Sequence, residues 1–280
     1  MSLDRYAVVG NPIGHSLSPR IHALFAEQTS QHIVYEARLG RLDHFTEDVR
    51  AWFREGLRGL NITVPFKEEA WRLVDQHSHR AERAGAVNTI WAEADGRLTG
   101  DNTDGAGFLR DLTQRLGFDP ADRAILILGA GGATRGLLEP LLCAAPAHLV
   151  IANRTPEKAR RLQQDFADLA GGARLEASGL EDIPAGPYDL LINATAAGLG
   201  SDGLALPRGL LHAQGIAYDL VYGPAARVFL EWAEAQGART VTDGLGMLVE
   251  QAAEAFAIWR GVRPDTAPVL AAIRATAAAG

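Results

Sequence analysis

Three hydrogen-bonding side chains interrupt an otherwise apolar stretch: Asn61, Thr63 and Lys67 in Asn61-Ile62-Thr63-Val64-Pro65-Phe66-Lys67. The alternation has period two, which predicts a strand carrying all three on one side. Polar groups in a row on a strand that is otherwise core cost free energy unless something polar meets them. Pro65 predicts a rigid strand end where Lys67 emerges. The stretch therefore reads as a site. Two hydroxyls, Ser16 and Ser18, stand at a loop-to-helix junction in Gly10-Asn11-Pro12-Ile13-Gly14-His15-Ser16-Leu17-Ser18-Pro19. Hydroxyls beside helix amides suit a carboxylate. Ser18 reads as the helix N-cap, with Pro19 at the first helical position, which leaves Ser16 unexplained by capping. Asn88, in Gly85-Ala86-Val87-Asn88-Thr89, and Asp104, in Gly100-Asp101-Asn102-Thr103-Asp104-Gly105, complete the polar segments. Taken singly, the first is an ordinary core asparagine and the second an ordinary turn.

A glycine-rich run, Gly129-Ala130-Gly131-Gly132-Ala133-Thr134-Arg135-Gly136, follows the apolar strand pattern Ala124–Leu128 directly. Such a turn between strand and helix brings backbone amides to a diphosphate at a helix N-terminus. Thr134 takes the place of the third glycine of the generic pattern. At the end of the next strand an NAD site usually carries an acid for the ribose 2′-hydroxyl. Here the chain reads Asn153-Arg154-Thr155-Pro156-Glu157-Lys158. Arg154 suits a 2′-phosphate, and Thr155 with Pro156 predicts a capped helix whose amides face the same anion. The expected cofactor is NADP.

The elements that must position these groups alternate between strand and helix, which argues for an α/β protein with largely parallel sheets. Strands are expected at Tyr6–Val9, Ile33–Leu39, the Asn61 segment and Ala86–Trp91, with a hairpin turn at Ala94-Asp95-Gly96-Arg97. Helical spacing runs over Leu42–Trp52 and Phe108–Leu116. Continuous apolar runs at Ala124–Leu128, His148–Ala152, Tyr188–Asn193, Ile216–Val221 and Thr240–Thr242 fit strands covered on both faces of a second, doubly wound unit. Pro140 predicts a kink in the helix after the glycine loop. The alanine-rich segment from Met247 has no strand partner there and is expected to return to the first domain.

The 280 residues suggest about two domains. With 27 basic and 34 acidic side chains the net charge is −7, which disfavours a nonspecific nucleic-acid binder. The single cysteine, Cys143, excludes an intramolecular disulfide and reads as buried packing. The run near 137–152 is broken by Glu139, Pro140 and Pro146 and is no membrane span. The start of the chain shows no signal-peptide pattern, so a cytoplasmic location is expected. The histidines show no metal spacing, and no metal is expected; His15 reads as structural or solvated.

Together, "GNPIGHSLSP", "NITVPFK", "GAVNT", "GDNTDG", "GAGGATRG", "NRT" and "GMLVEQAA" occur in an order and at spacings that resemble the shikimate dehydrogenase family. The resemblance runs from Gly10 to about Phe256. It implies a substrate-binding and catalytic α/β domain, residues 1–106 with 246–280, to which the C-terminal helices return, and a Rossmann-type NADP domain, residues 107–245. It further implies that Ser16 and Ser18 hold the substrate carboxylate, and that Asn61, Thr63, Asn88, Asp104 and Gln251 bind its hydroxyls. Lys67 would be the catalytic lysine, paired with Asp104. Gly129, Ala130, Gly131, Gly132 and Ala133 would hold the diphosphate, and Asn153, Arg154, Thr155 and Lys158 the adenosine phosphate. Leu220, Tyr222, Gly244 and Met247 would border nicotinamide and substrate. Leu220 stands where the family also uses methionine.

The implied activity is NADP-dependent interconversion of 3-dehydroshikimate and shikimate, on a small-molecule substrate, by a monomer or homodimer. The nearest rival is a quinate/shikimate dehydrogenase using NAD or NADP. A non-catalytic NADP-binding sensor on the same scaffold would not need both Lys67 and Asp104. A two-domain dehydrogenase of folate or amino-acid type fits the serine loop less well.

Overall fold

A computed structural model describes residues 3–195 and 206–277. The chain divides into two compact units, residues 1–107 with 248–280, and residues 108–247.

In the first unit, β1 (Asp4–Gly10), α1 (Ser18–Gln28), β2 (Ile33–Leu39), α2 (Phe45–Arg54) and β3 (Leu57–Ile62) alternate. There follow α3 (Lys67–Leu73), β4 (Gln76–His77), α4 (His79–Ala84), β5 (Thr89–Ala92), β6 (Leu98–Asp101) and α5 (Asp104–Arg110). The sheet order is β2-β1-β3-β5-β6-β4. β1 runs parallel to β2 and β3, whereas β5 is antiparallel to β3 and β6, so this sheet is mixed. The sequence pattern of α2 explains its seat. Phe45 and Val49, one turn apart, are buried, Glu47 and Asp48 lie in the first turn, and Arg54 in the last, as the helix dipole favours. Phe45 stacks on Phe66 at 4.6 Å within the core on that side.

The C-terminal segment of the first unit comes from α9 (Leu245–Arg260), which crosses the unit boundary, and α10 (Thr266–Ala277). It packs on β1 and α1 with aromatic contacts: Trp259 stacks on Tyr6 of β1 at 4.9 Å, and Phe256 meets Phe25 of α1 edge-on at 5.7 Å. A Cβ at Gly59 would stand 2.5 Å from the Trp259 ring, so this approach requires glycine.

The second unit contains a π-helical turn (Asp111–Arg115), β7 (Ala124–Leu128), α6 (Gly132–Cys143), β8 (His148–Asn153), α7 (Pro156–Asp165) and β9 (Arg174–Gly179). It continues through β10 (Tyr188–Asn193), β11 (Leu211–Asp219), α8 (Arg227–Ala235) and β12 (Thr240–Thr242). Its sheet, ordered β12-β11-β10-β7-β8-β9, is parallel throughout. Renumbered from β7, this is the doubly wound order of the Rossmann fold, with its reversal between β7 and β10. The apolar run of β7 is continuous because both faces are covered. Ile125 and Ile127 enter one core cluster, and Leu126 and Leu128 the other.

Several sequence expectations require correction. β3 ends at Ile62, and Lys67 is the first residue of α3, so period-two alternation does not carry to the lysine. A cis Val64–Pro65 peptide bond lies between them. Ser18 is already helical, Leu17 stands at the N-cap without a side-chain capping bond, and the Ser18 backbone N–H donates to Ser16 Oγ at 3.3 Å. Thr155 precedes α7 without a side-chain cap. Cys143 is exposed, not buried. The helix expected from Phe108 starts at Asp104 and passes into the π turn. The short β4 and the amphipathic β9 have no counterpart among the expected strands: β4 spans two residues, and β9 alternates Leu175 and Ala177 with polar residues but has no apolar run.

Candidate active site

In the first unit, polar residues from separate segments converge on Asn88. This side chain is 2 % exposed. Its Nδ2 donates to Asp104 Oδ1 at 2.8 Å, to Thr103 Oγ1 at 2.9 Å and to Gln251 Oε1 at 3.4 Å. Its Oδ1 accepts from the Thr103 N–H at 2.8 Å and the Thr89 hydroxyl at 2.9 Å. Asp104, the first residue of α5, takes Lys67 Nζ on its other oxygen at 2.5 Å. The Asp104 side chain is 11 % exposed and the Lys67 side chain 29 %. The Asp104 side chain is therefore mostly interior, while the Lys67 side chain keeps part of its surface open. A held lysine with an open side can exchange a proton with an oxygen presented to it.

The backbone explains how these residues meet. β3 and β5 pair antiparallel with Asn61 opposite Thr89, and β5 pairs β6 with Thr89 opposite Asp101. Asn88, Thr103 and Asp104 thus lie just beyond the ends of neighbouring strands. Gln251 joins because Gly107 allows α5 to touch α9: a Cβ there would stand 2.5 Å from the Gln251 backbone nitrogen. Asn61 is buried and donates to the Asn88 carbonyl at 3.2 Å and to Thr89 Oγ1 at 3.0 Å. Thr63 is partly buried on the segment after β3, with its N–H on the Val9 carbonyl at 2.9 Å. Its methyl leaves room only for glycine at position 10, where a Cβ would collide with it. Below this cluster Asp101 takes a two-pronged contact from Arg80, both distances 2.7 Å. Burial works against its charge, but Arg80 prevails and the Asp101 carboxyl lies below its ordinary range.

In the second unit, the turn after β7 holds the glycine run. Gly129 has φ +108, and a Cβ would stand 2.9 Å from the Ala194 carbonyl oxygen, so both conformation and space demand glycine. Thr134 accounts for the departure from the generic pattern: fully buried, its hydroxyl donates to the Gly129 carbonyl at 2.9 Å and ties the loop to α6. At Gly131 and Gly132, by contrast, an added Cβ would meet nothing within 4 Å, so there is open space at the start of α6. Asn153 Oδ1 accepts from the Ala130 N–H at 3.2 Å, and its Nδ2 donates to the Thr155 carbonyl at 2.9 Å, so Asn153 braces this loop. Arg154 and Lys158 are exposed, and neither pairs with any described acid. Cations without a described acidic partner, with open space at the start of α6, fit a dinucleotide carrying an extra phosphate.

Leu220 and Met247 both pack on one core cluster of this unit. Gly244 closes on Leu220, where a Cβ would collide with the carbonyl oxygen. Tyr222 is partly buried, which raises its phenol above the ordinary value.

Three profiles of one family match the chain: the shikimate dehydrogenase substrate-binding domain over residues 8–90, shikimate/quinate 5-dehydrogenase over 111–199, and the shikimate 5′-dehydrogenase C-terminal domain over 244–274. The NADP(+) shikimate dehydrogenase of Alkalilimnicola ehrlichii is 56% identical over 271 residues, 97% of this chain and 98% of that protein. The chain belongs to the shikimate dehydrogenase family. A second shikimate dehydrogenase, from Thioalkalivibrio sulfidiphilus, is 53% identical over 272 residues, 97% of this chain and 98% of its own. Among solved structures, shikimate 5-dehydrogenase of Thermus thermophilus, in complex with NADP(H) and shikimate, is similar with a TM-score of 0.84. It is 38% identical, covering 98% of this chain and 99% of that one.

Beside the shikimate dehydrogenase motifs stand residues that sequence reasoning missed. Tyr35 and His22 flank Asn61, but each sits alone in its segment with no motif to mark it. Asp219 and Asn193, paired at 2.9 Å, end neighbouring strands and hold the 220–221 turn through Val221 N–H to Asp219 Oδ1 at 2.9 Å and Leu220 N–H to the Asn193 carbonyl at 2.9 Å. The polar residue closing each of these apolar runs was the available signal. Among the described residues no group of acids, histidines or cysteine could hold a metal, and no helix is long and apolar enough to cross a membrane.

Proposed function

We propose that this chain catalyses the reversible reduction of 3-dehydroshikimate to shikimate with NADP. It is an oxidoreductase acting on a secondary alcohol. When bound, NADPH supplies the hydride for the ring carbon that bears the 3-oxygen. The remaining task falls to the protein: a proton must reach that oxygen during reduction and leave it during oxidation. Lys67 carries this proton at Nζ, and its positive charge stabilises the developing alkoxide. Asp104 orients Lys67, and Asn88 in turn holds Asp104. Ser16 and Ser18 bind the substrate carboxylate; Asn61, Thr63 and Gln251 bind its hydroxyls. Gly129, Ala130, Gly131, Gly132 and Ala133 cradle the diphosphate, and Arg154 with Lys158, supported by Asn153 and Thr155, takes the adenosine phosphate. Residues 1–106 with 246–280 serve as the substrate domain, and 107–245 as the NADP domain. We assign the enzyme to the cytoplasm, as monomer or homodimer, which sedimentation distinguishes.

The observation that carries this reading is the 2.5 Å Lys67–Asp104 contact, with the far carboxylate oxygen held by a buried asparagine. A binding protein without chemistry has no need of a lysine so held. The test is NADPH or NADH formation from shikimate and from quinate, each with NADP and NAD. Turnover is expected with shikimate and NADP well above the other three combinations. No turnover in any of them would sink the enzyme reading, and turnover favouring quinate or NAD would move the chain to the quinate/shikimate reading.

A further inference from the structure

Tyr35 belongs to none of the motifs above. It lies in β2, the edge strand, paired with Tyr6 of β1. Its hydroxyl donates to Asn61 Oδ1 at 2.7 Å. Its ring is stacked on His22 at 4.0 Å with an interplanar angle of 6°. His22 is fully buried, and neither ring nitrogen finds a hydrogen-bond partner among the described residues. Burial drives this imidazole down to about 3, against the opposing pull of Asn61, so it is neutral in neutral solution. His22 is thus a buried, neutral ring that supports the phenol by stacking. Burial also pushes the phenol well above its ordinary value, with the Ser18 side chain opposing that shift, so the hydroxyl keeps its proton.

The consequence falls on Asn61. Both of its N–H groups are committed inside the protein, to the Asn88 carbonyl and to Thr89 Oγ1. Its carbonyl oxygen has two acceptor directions, and Tyr35 fills one. At most one lone pair of that oxygen is left for a ligand, its direction set by the Tyr35 hydroxyl and the committed amide, with the His22 imidazole as its other near neighbour. We propose that Tyr35 is a positioning residue for substrate recognition, fixing Asn61 so that it accepts a hydrogen bond from a substrate hydroxyl and donates none. The inference rests on the shikimate reading and adds a direction to one of its contacts. A ligand carrying a carbonyl or an ether oxygen in place of that hydroxyl would meet an acceptor with an acceptor. The site therefore discriminates by an unpaired buried group, a strong form of selectivity.

The test is Tyr35→Phe, which keeps the ring and its stack on His22 and removes one oxygen. Losing one hydrogen bond of this kind predicts a rise in the shikimate KM of about three- to tenfold. The KM for NADP and the kcat should each stay within about twofold, since neither the glycine loop nor Lys67 is touched. An unchanged shikimate KM, or a fall in kcat alone, overturns the proposal. Asn61→Ala and the double variant provide the second arm. If Tyr35 acts through Asn61, Tyr35→Phe has less than half its effect in the Asn61→Ala background; additive effects overturn the proposal. Shikimate binding measured calorimetrically, with the near-ultraviolet circular dichroism of each variant, separates this from misfolding: a weaker Kd in a protein with the native spectrum supports positioning. A native-like Kd with reduced active protein assigns Tyr35 to stability and overturns it. Wild-type turnover is measured alongside. Its absence removes the shikimate reading, whereas turnover without the Tyr35→Phe KM shift removes only this inference.

Discussion

The polar residues around Asn88 and those around the β7–α6 turn are built on opposite terms. At Asn88 the protein satisfies its own groups: amide, carboxylate and ammonium each have an internal partner. At the glycine loop it leaves open space around Gly131 and Gly132, and after β8 it leaves Arg154 and Lys158 without a described acidic partner. On the proposed function, the difference follows from what each must recognise. A small neutral-to-anionic ring offers few handles, so selectivity demands donors and acceptors whose directions are set before it arrives. A phosphate offers charge, and exposed cations with helix-terminal amides meet it without a prior network. Changes in the first region should therefore act on substrate binding, catalysis or folding, and changes at Arg154 and Lys158 on cofactor affinity alone.

The largest effect is expected at Lys67. Lys67→Ala should lower kcat by about 10²- to 10⁴-fold with little change in KM, as loss of a positioned acid–base group does. Steady-state kinetics with shikimate and NADP decide it; near wild-type kcat would remove Lys67 from the mechanism. Next is Asn88→Ala. It strips one oxygen of a buried carboxylate and a buried N–H of their partners at once. Unfolding free energy should fall by about 3 kcal/mol, read from urea titration. A loss under about 1 kcal/mol would mean that the network is not preorganised, and the contrast drawn above would weaken.

Asp219 sharpens the comparison by showing a polar group of the second unit under strain from burial. Burial, with the charge of Asp243 adding to it, pushes its carboxyl up from 3.8 to about 6, although Val221 and Asn193 both donate to it. A raised carboxyl means that the folded protein holds this proton more tightly than the unfolded chain does. The associated stability is complete below 3.8 and is lost as pH rises through about 6. At about 1.36 kcal/mol per pH unit the loss approaches about 3 kcal/mol at most. Urea midpoints across this window should fall with pH in the wild type and flatten in Asp219→Asn. The same slope in both proteins would assign it to another group.

Much of this was legible in the residues. The β7–β8–β10–β11 strands declared themselves because burial on both faces forces unbroken apolar runs, and the glycine loop because a turn that close to Ala194 tolerates no side chain. The segment from Asn61 to Lys67 stands out for a partly wrong reason. It is a strand only to Ile62, and Lys67 reaches Asp104 from the first turn of a helix. A polar period of two cannot distinguish a strand from a strand, a cis proline and a helix start. Tyr35, His22 and the Asp219–Asn193 pair were not legible at all as partners, since each link joins residues far apart in the chain. Cys143 misleads because cysteine's preference for the interior is only statistical: in the last turn of α6 Leu141 and Leu142 take the core side and leave Cys143 exposed.

The smallest predicted effect tests the open half of the comparison most directly. Arg154 makes no ion pair with any described acid, so Arg154→Ala removes nothing that folding uses, and thermal stability should be unchanged. Its only expected loss is the contact to a 2′-phosphate. The KM for NADP should then rise by about tenfold, equivalent to about 1.4 kcal/mol, while the KM for NAD stays as it was. Because the site is exposed, the wild-type preference for NADP should itself shrink as ionic strength rises, and the variant should show less of that dependence. Lys158→Ala should act in the same direction and more weakly, since an ammonium cannot make the paired contact of a guanidinium. An equal loss for NAD and NADP would place Arg154 on the diphosphate or the ribose. It would also leave the absence of an acid after β8 without a role in cofactor choice.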